Sequence, residues 1–203
     1  MQIPIIFVIF IIFIAWLQYE IKKTSRLSNK SSDEFWQNES DANISRKKDI
    51  SNLDYIKLNI DLLPLADNHD STINSYRDKI VSLVDKKIIN LSSFNNTQLK
   101  QKYGAANLPF LTDYDNNYMV LVSILQKWAE RLYQSGDTSS ATHVLEYAVS
   151  CSTDVTNTYR LLSKIYKEQG EIEKLDTLIN TLSELKIRDK NKLIGELNLV
   201  SNS

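Results

Sequence analysis

Hydrophobic residues follow helical spacing along most of the chain from residue 70 onward. Between residues 73 and 88 apolar side chains recur every three or four positions, and Asp70 or Ser71 is expected to cap this helix. Asn95 or Asn96 predicts the start of a short second helix. Gly104 predicts its end, because glycine readily adopts the positive φ of a helix C-terminus.

Four more helical stretches follow from about residue 115. Their apolar faces are Leu121, Leu125, Trp128, Ala129 and Leu132; Ala141, Val144, Leu145, Ala148 and Val149; Val155, Tyr159, Leu162 and Tyr166; and Ile172, Leu175, Leu178, Ile179 and Leu182. Gly136 ends the first stretch and Gly170 ends the third. Short links between amphipathic helices predict antiparallel helix pairs. Apolar residues at 193, 194 and 197 predict a C-terminal capping helix.

A different pattern precedes these helices. Ile56, Leu58, Ile60 and Leu62 alternate with polar residues, which is the period of an extended strand with one buried face. Pro64 ends the alternation, and no second strand is evident. We therefore expect this segment to lie extended across a helical surface.

The N-terminus is apolar from Ile3 to Leu17, interrupted by Pro4 alone. A helix from Met1 to Ile21 is about 30 Å long, enough to cross a bilayer core. A cleaved signal peptide is the alternative, but no basic residue precedes the run. The sequence predicts an uncleaved transmembrane anchor over residues 1–21.

Residues 22–50 are polar and predict a juxtamembrane tether, either a helical stalk or disordered. Seven basic and four acidic residues between Lys22 and Lys48 give this segment a local charge of +3. By the positive-inside rule, the expectation is a single-pass protein of the cell membrane with its N-terminus outside and its domain in the cytoplasm.

Composition argues against several classes of function. The net charge of −1 gives no global attraction to nucleic acid. Cys151 is the single cysteine, and neither His69 nor His143 has a second histidine or cysteine at ligand spacing, so no metal site is expected. No glycine-rich phosphate loop is present either. We expect no catalytic residues, no cofactor and no small-molecule substrate.

The spacing between the helix pairs is the most specific signal. Gly136 and Gly170 have the same separation along the chain as Ala129 and Ser163. This spacing resembles the tetratricopeptide repeat (TPR), whose period is about 34 residues. The resemblance implies that Ala129 and Ser163 let paired helices approach closely, and that Ala141 and Ala148 are the small residues of a second helix.

The resemblance covers about residues 122–187 and has exceptions. Leu175 and Leu182 stand where the family has alanine, and a generic four-helix arrangement is the alternative. As a whole, the chain also resembles uncharacterised membrane-anchored proteins of Gram-positive bacteria, which implies no activity. The predicted architecture is all-α: the anchor (1–21), the tether (22–50), an extended segment with packing helices (51–110), and two TPR-like helix-turn-helix repeats with a capping helix (111–200).

In function, the resemblance implies a membrane-tethered, non-enzymatic module that binds a protein partner. The alternative is a structural subunit of a larger membrane complex. In the repeat register, six residues share the surface that first helices line in this family: Gln126, Glu130, Tyr133, Arg160, Lys164 and Lys167. The basic residues Arg160, Lys164 and Lys167 are the candidates for binding an acidic peptide or a C-terminal carboxylate.

Overall fold

All regular structure in the described part of the chain is helical. The computed structural model describes residues 5–185 and 189–201. Its helices are α1 (Ile5–Asn43), α2 (Ser71–Val81), α3 (Asn96–Tyr103), α4 (Leu108–Gln134), α5 (Thr138–Ser150), α6 (Thr156–Gln169), α7 (Ile172–Glu184) and α8 (Lys190–Ser201), with short 3₁₀ turns at Ile60–Leu62 and Ala105–Asn107. The predicted all-α class is confirmed.

The caps explain where several helices begin. The Asp70 carboxylate accepts the Thr72 amide at 2.8 Å at the start of α2. Asn95 and Gln98 form a reciprocal capping box at the start of α3. The Asp137 side chain accepts the Ser140 amide at 3.0 Å and caps α5. Each cap satisfies backbone N–H groups that the first helical turn leaves without partners.

The predicted membrane anchor is wrong. Within the described residues, no helix carries an apolar stretch long enough to cross a membrane. In α1 the apolar run covers Ile5 to Leu17, which is about 20 Å of helix against the roughly 30 Å that a bilayer core requires. Met1 to Pro4 of the predicted anchor lie outside the described residues. The predicted single-pass location, with its outside and cytoplasmic ends, is contradicted by this finding.

Two units can be distinguished by their internal contacts. One contains Met1–Ile50 and Phe94–Leu108. Within it, the last turns of α1 pack on α3, where Glu39 pairs with Lys100 and accepts a hydrogen bond from Thr97 at 2.6 Å. A Cβ on Gly104 would collide with the backbone carbonyl of Arg46, so only glycine allows this close approach.

The other unit contains Ser51–Ser93 and Pro109–Ser203. Its extended part is shorter than the alternation predicts. The Ile56 amide donates to the Ile88 carbonyl at 2.9 Å, and both Ile56 and Leu58 pack on the core. From Ile60 the 3₁₀ turn changes the direction of the side chains, so Leu62 is 62 % exposed and Leu63 is buried instead.

The core of this second unit lies among the C-terminal helices. α6 packs against α5, α7 and α8, and α7 also packs against α8. Trp128, Leu145, Leu162 and Leu175 are fully enclosed side chains of this core. The predicted capping residues lie in α8, where Leu193 and Leu197 are buried and Ile194 is partly buried.

Candidate functional site

The exposed sides of α4 and α6 form the candidate site, which we call the first-helix face. Its predicted members are Gln126, Glu130 and Tyr133 on α4 and Arg160, Lys164 and Lys167 on α6. Side-chain contacts join the two helices. Among the six predicted residues, the structure brings Tyr133 and Lys164 into contact, and it leaves five of the six at least partly accessible.

Gln126 is the exception. It is 8 % exposed, and its side-chain oxygen accepts a hydrogen bond from the Thr158 hydroxyl at 2.8 Å. A buried amide with a buried hydroxyl partner holds α4 and α6 together. Gln126 is thus a packing residue between the helices.

Tyr133 and Lys164 lie together at the middle of the face. The ammonium of Lys164 is 5.1 Å from the centre of the Tyr133 ring, and 3.8 Å from a Glu168 carboxylate oxygen. The Tyr133 hydroxyl donates to Glu168 at 3.0 Å. Lys164 therefore pairs with Glu168, one turn along its own helix. Glu130 is exposed on α4.

Arg160 connects the face to the C-terminal helix. Its Nε donates to Glu196 of α8 at 2.9 Å, and its Nη1 donates to the Asn157 side chain at 3.0 Å. The Arg160 guanidinium holds the pKa of the Glu196 carboxyl below its usual range. Lys167 is exposed on the last turn of α6. The face thus presents paired charges of both signs.

The sequence did not predict a cleft that lies elsewhere on this unit. An open cleft of about 560 Å³ separates the segment at Ile60–Leu62 from α5. Its lining residues are Asp61, Leu62, Leu63 and Pro64 on one side and His143, Glu146, Tyr147 and Ser150 on the other. Its two walls come from distant parts of the sequence, so no local spacing pattern links them.

The single cysteine, Cys151, has the environment of a packing residue. Cys151 is buried at the end of α5, and burial raises the pKa of its thiol to about 11. A thiol of that pKa is protonated at neutral pH and is a poor nucleophile. Within the described chain, no three histidine, cysteine or acidic side chains are grouped to hold a metal ion.

Comparison with known proteins does not assign the chain to a family. No family model, curated protein or solved structure matches it significantly.

Proposed function

We propose that this chain is a non-enzymatic, protein-binding module built from TPR-like repeats, and that the first-helix face contacts its partner. The observation that carries this proposal is that several corresponding helix boundaries recur at the same offset along the chain. α5 begins at Thr138 and ends at Ser150, and α7 begins at Ile172 and ends at Glu184. The two starts are therefore separated by the same number of residues as the two ends. α6 and α8 begin at Thr156 and Lys190, with the same offset again. It equals the TPR period of about 34 residues.

The turns between paired helices support the same register. Gly136 and Gly170 have φ of 90° and 73°. At the first turn the Asp137 amide donates to the Leu132 carbonyl at 3.0 Å, and at the second the Glu171 amide donates to Tyr166 at 2.8 Å. Donors and acceptors keep the offset of the helix boundaries, so the backbone repeats its hydrogen bonds and not only its sequence pattern.

The third first-helix position is occupied as well. α8 packs on α6 and α7, as the first helix of a following repeat would. TPR-like stacks need about three units to bury a continuous core. With α8 in that position, the exposed sides of α4, α6 and α8 form one surface.

The chemistry of this surface suits a protein ligand. Tyr133 supplies a half-buried aromatic ring, and the ion pair between Arg160 and Glu196 supplies both charges nearby. Aromatic residues and arginine are enriched where proteins bind each other. Because the basic residues are paired with acidic ones, we propose a partner segment that carries charges of both signs.

A charge exchange tests this proposal. The purified full chain is used to select binders from a display library of random peptides, and their affinities are measured by fluorescence anisotropy. Exchanging Arg160→Glu with Glu196→Arg keeps the ion pair and the net charge but reverses the field on the face. We expect the exchange to weaken binding about tenfold, because surface charges orient the ligand.

Lys164→Glu with Glu168→Lys provides a second exchange on the same face. Thermal unfolding is the control, and both variants should melt as the wild type does. If every selected peptide binds the two exchange variants as tightly as it binds the wild type, the first-helix face is not a binding site. Failure to select any peptide would also contradict the proposal.

A further inference from the structure

A smaller groove has one lining residue in common with the cleft beside α5. This groove has a volume of about 180 Å³, with Val149, Leu162 and Leu178 among its apolar lining. Glu146 lines both the cleft and the groove. The Glu146 carboxylate is therefore common to two spaces of different size.

We propose that this cleft and groove form a second docking site, which takes a partner's peptide segment with a lysine or arginine beside one large apolar side chain. The site uses α5, α7, the segment at Ile60–Leu62, and the α6 residues Leu162 and Tyr166. It does not use Arg160, Lys164 or Lys167. The two sites share α6 but use different residues of it, so substitutions can separate them.

The size of the groove identifies the apolar part of the ligand. Sites for drug-sized molecules usually enclose about 300 Å³ or more, and the groove is smaller. One leucine-sized or phenylalanine-sized side chain fits such a space. Leu62, which is largely exposed, adds an apolar wall at the cleft side. An apolar side chain of the ligand would cover both surfaces.

The charges beside the groove identify the basic part. In the described chain, no cation pairs with the carboxylate of Asp61, which is exposed at the rim. Glu146 accepts the Tyr166 hydroxyl at 2.8 Å and lies 3.8 Å from Lys174, which is nearer to Glu171 at 2.8 Å. The negative charge of Glu146 is thus only partly compensated. Two carboxylates favour an ammonium or guanidinium group and oppose a phosphate backbone.

Tyr147 can hold the backbone of the ligand. It lines the cleft and is 7 % exposed, and its hydroxyl oxygen accepts the Asn59 amide at 2.8 Å. A hydroxyl also carries one proton to donate, and no acceptor within the described residues takes it. A peptide carbonyl in the cleft would supply that acceptor. This donor favours a peptide over a ligand that offers only a cation.

Two variants test the docking site with the peptides selected on the full chain. Asp61→Lys reverses a charge at the rim, and Thr181→Trp fills the groove from α7. We expect a class of selected peptides that contain lysine or arginine close to leucine, isoleucine, methionine or phenylalanine. Each variant should weaken the binding of this class about tenfold or more. Asp85→Lys, the same charge change at an exposed residue outside the cleft, should leave it unchanged.

The charge exchange of Arg160 and Glu196 separates this site from the first-helix face. Peptides of the predicted class should bind that variant normally, whether or not other peptides lose affinity. The docking site is wrong if no such class is selected. Thermal unfolding must first show that Asp61→Lys and Thr181→Trp are folded. The docking site is also wrong if both folded variants bind peptides of this class as tightly as the wild type does.

Discussion

At the scale of single residues, two small side chains lie buried at positions where the sequence predicts close helix contacts. Ala129 on α4 is fully buried next to Trp128, which is also fully buried. Ser163 occupies the corresponding position of α6 and is 2 % exposed. Both positions were identified from the sequence alone. The TPR resemblance predicts small residues at these two positions, because a tight contact between helices excludes large side chains.

Ala129→Leu is predicted to destabilise the protein. The larger side chain has no space in a fully packed core, and overpacking costs about 1–3 kcal/mol. Urea unfolding of the purified full chain measures the change. Lys127→Leu places the same side chain on the exposed side of α4 and should change the free energy of unfolding little. If both variants unfold at the same urea concentration, the contact at Ala129 has been misassigned.

Gln126 shows what a single-helix pattern misses. Counting along α4 places it on the exposed stripe, yet the Thr158 hydroxyl of α6 covers it. Periodicity describes one helix at a time and does not say how close a neighbouring helix lies. The ion pair between Arg160 and Glu196 was not predicted for the same reason, because Glu196 lies on a different helix, α8.

At the scale of helices and turns, the two glycine turns set the ends of α4 and α6. A Cβ on Gly136 or Gly170 would meet no atom within 4 Å, so space does not explain these glycines. Their positive φ does, because residues with a Cβ adopt that conformation at a cost of about 1–2 kcal/mol. Both turns were predictable, since glycine at a helix end is the usual local signal.

Gly170→Ala is predicted to lower the free energy of unfolding by about 1–2 kcal/mol, through backbone strain alone. Gly195→Ala is the matched control, because Gly195 lies within α8 and also has no neighbour within 4 Å of its Cβ position. Alanine should stabilise that helix by about 0.5–1 kcal/mol. Chemical denaturation of both variants measures whether the free energy of unfolding falls for Gly170→Ala and rises for Gly195→Ala. Equal effects at both positions would contradict the assigned turn.

Other helix boundaries were not predictable from local signals. The first of the four C-terminal helical stretches was expected from about residue 115, but α4 begins at Leu108 and contains Pro109. Proline is tolerated in the first turn of a helix, because a backbone N–H at that position would have no acceptor within the helix. In the same way, the alternation from Ile56 to Leu62 was expected to continue, but the 3₁₀ turn at Ile60 interrupts it.

At the scale of the whole molecule, the all-α class followed from the sequence, whereas the anchor and the cleft did not. The class follows from periodicity and from four glycines and three prolines in 203 residues. The predicted anchor was wrong because it counted all of residues 1–21 as a membrane-spanning helix. In the described part of α1 the apolar run covers only Ile5 to Leu17, which is too short to cross a bilayer core. The cleft between Asp61 and Glu146 depends on a long-range arrangement that no local pattern specifies.

Site-specific photocrosslinking tests the central claim, that the first-helix face binds a protein partner. The photoreactive residue p-benzoylphenylalanine is placed at Lys164 on the face, and separately at Ser75, which is exposed on α2. In living cells that express the full chain, we predict a discrete crosslinked protein from position 164 that is absent from position 75. It should also disappear when the Arg160 and Glu196 exchange is added. Identical products from both positions, or none from position 164, would contradict the account.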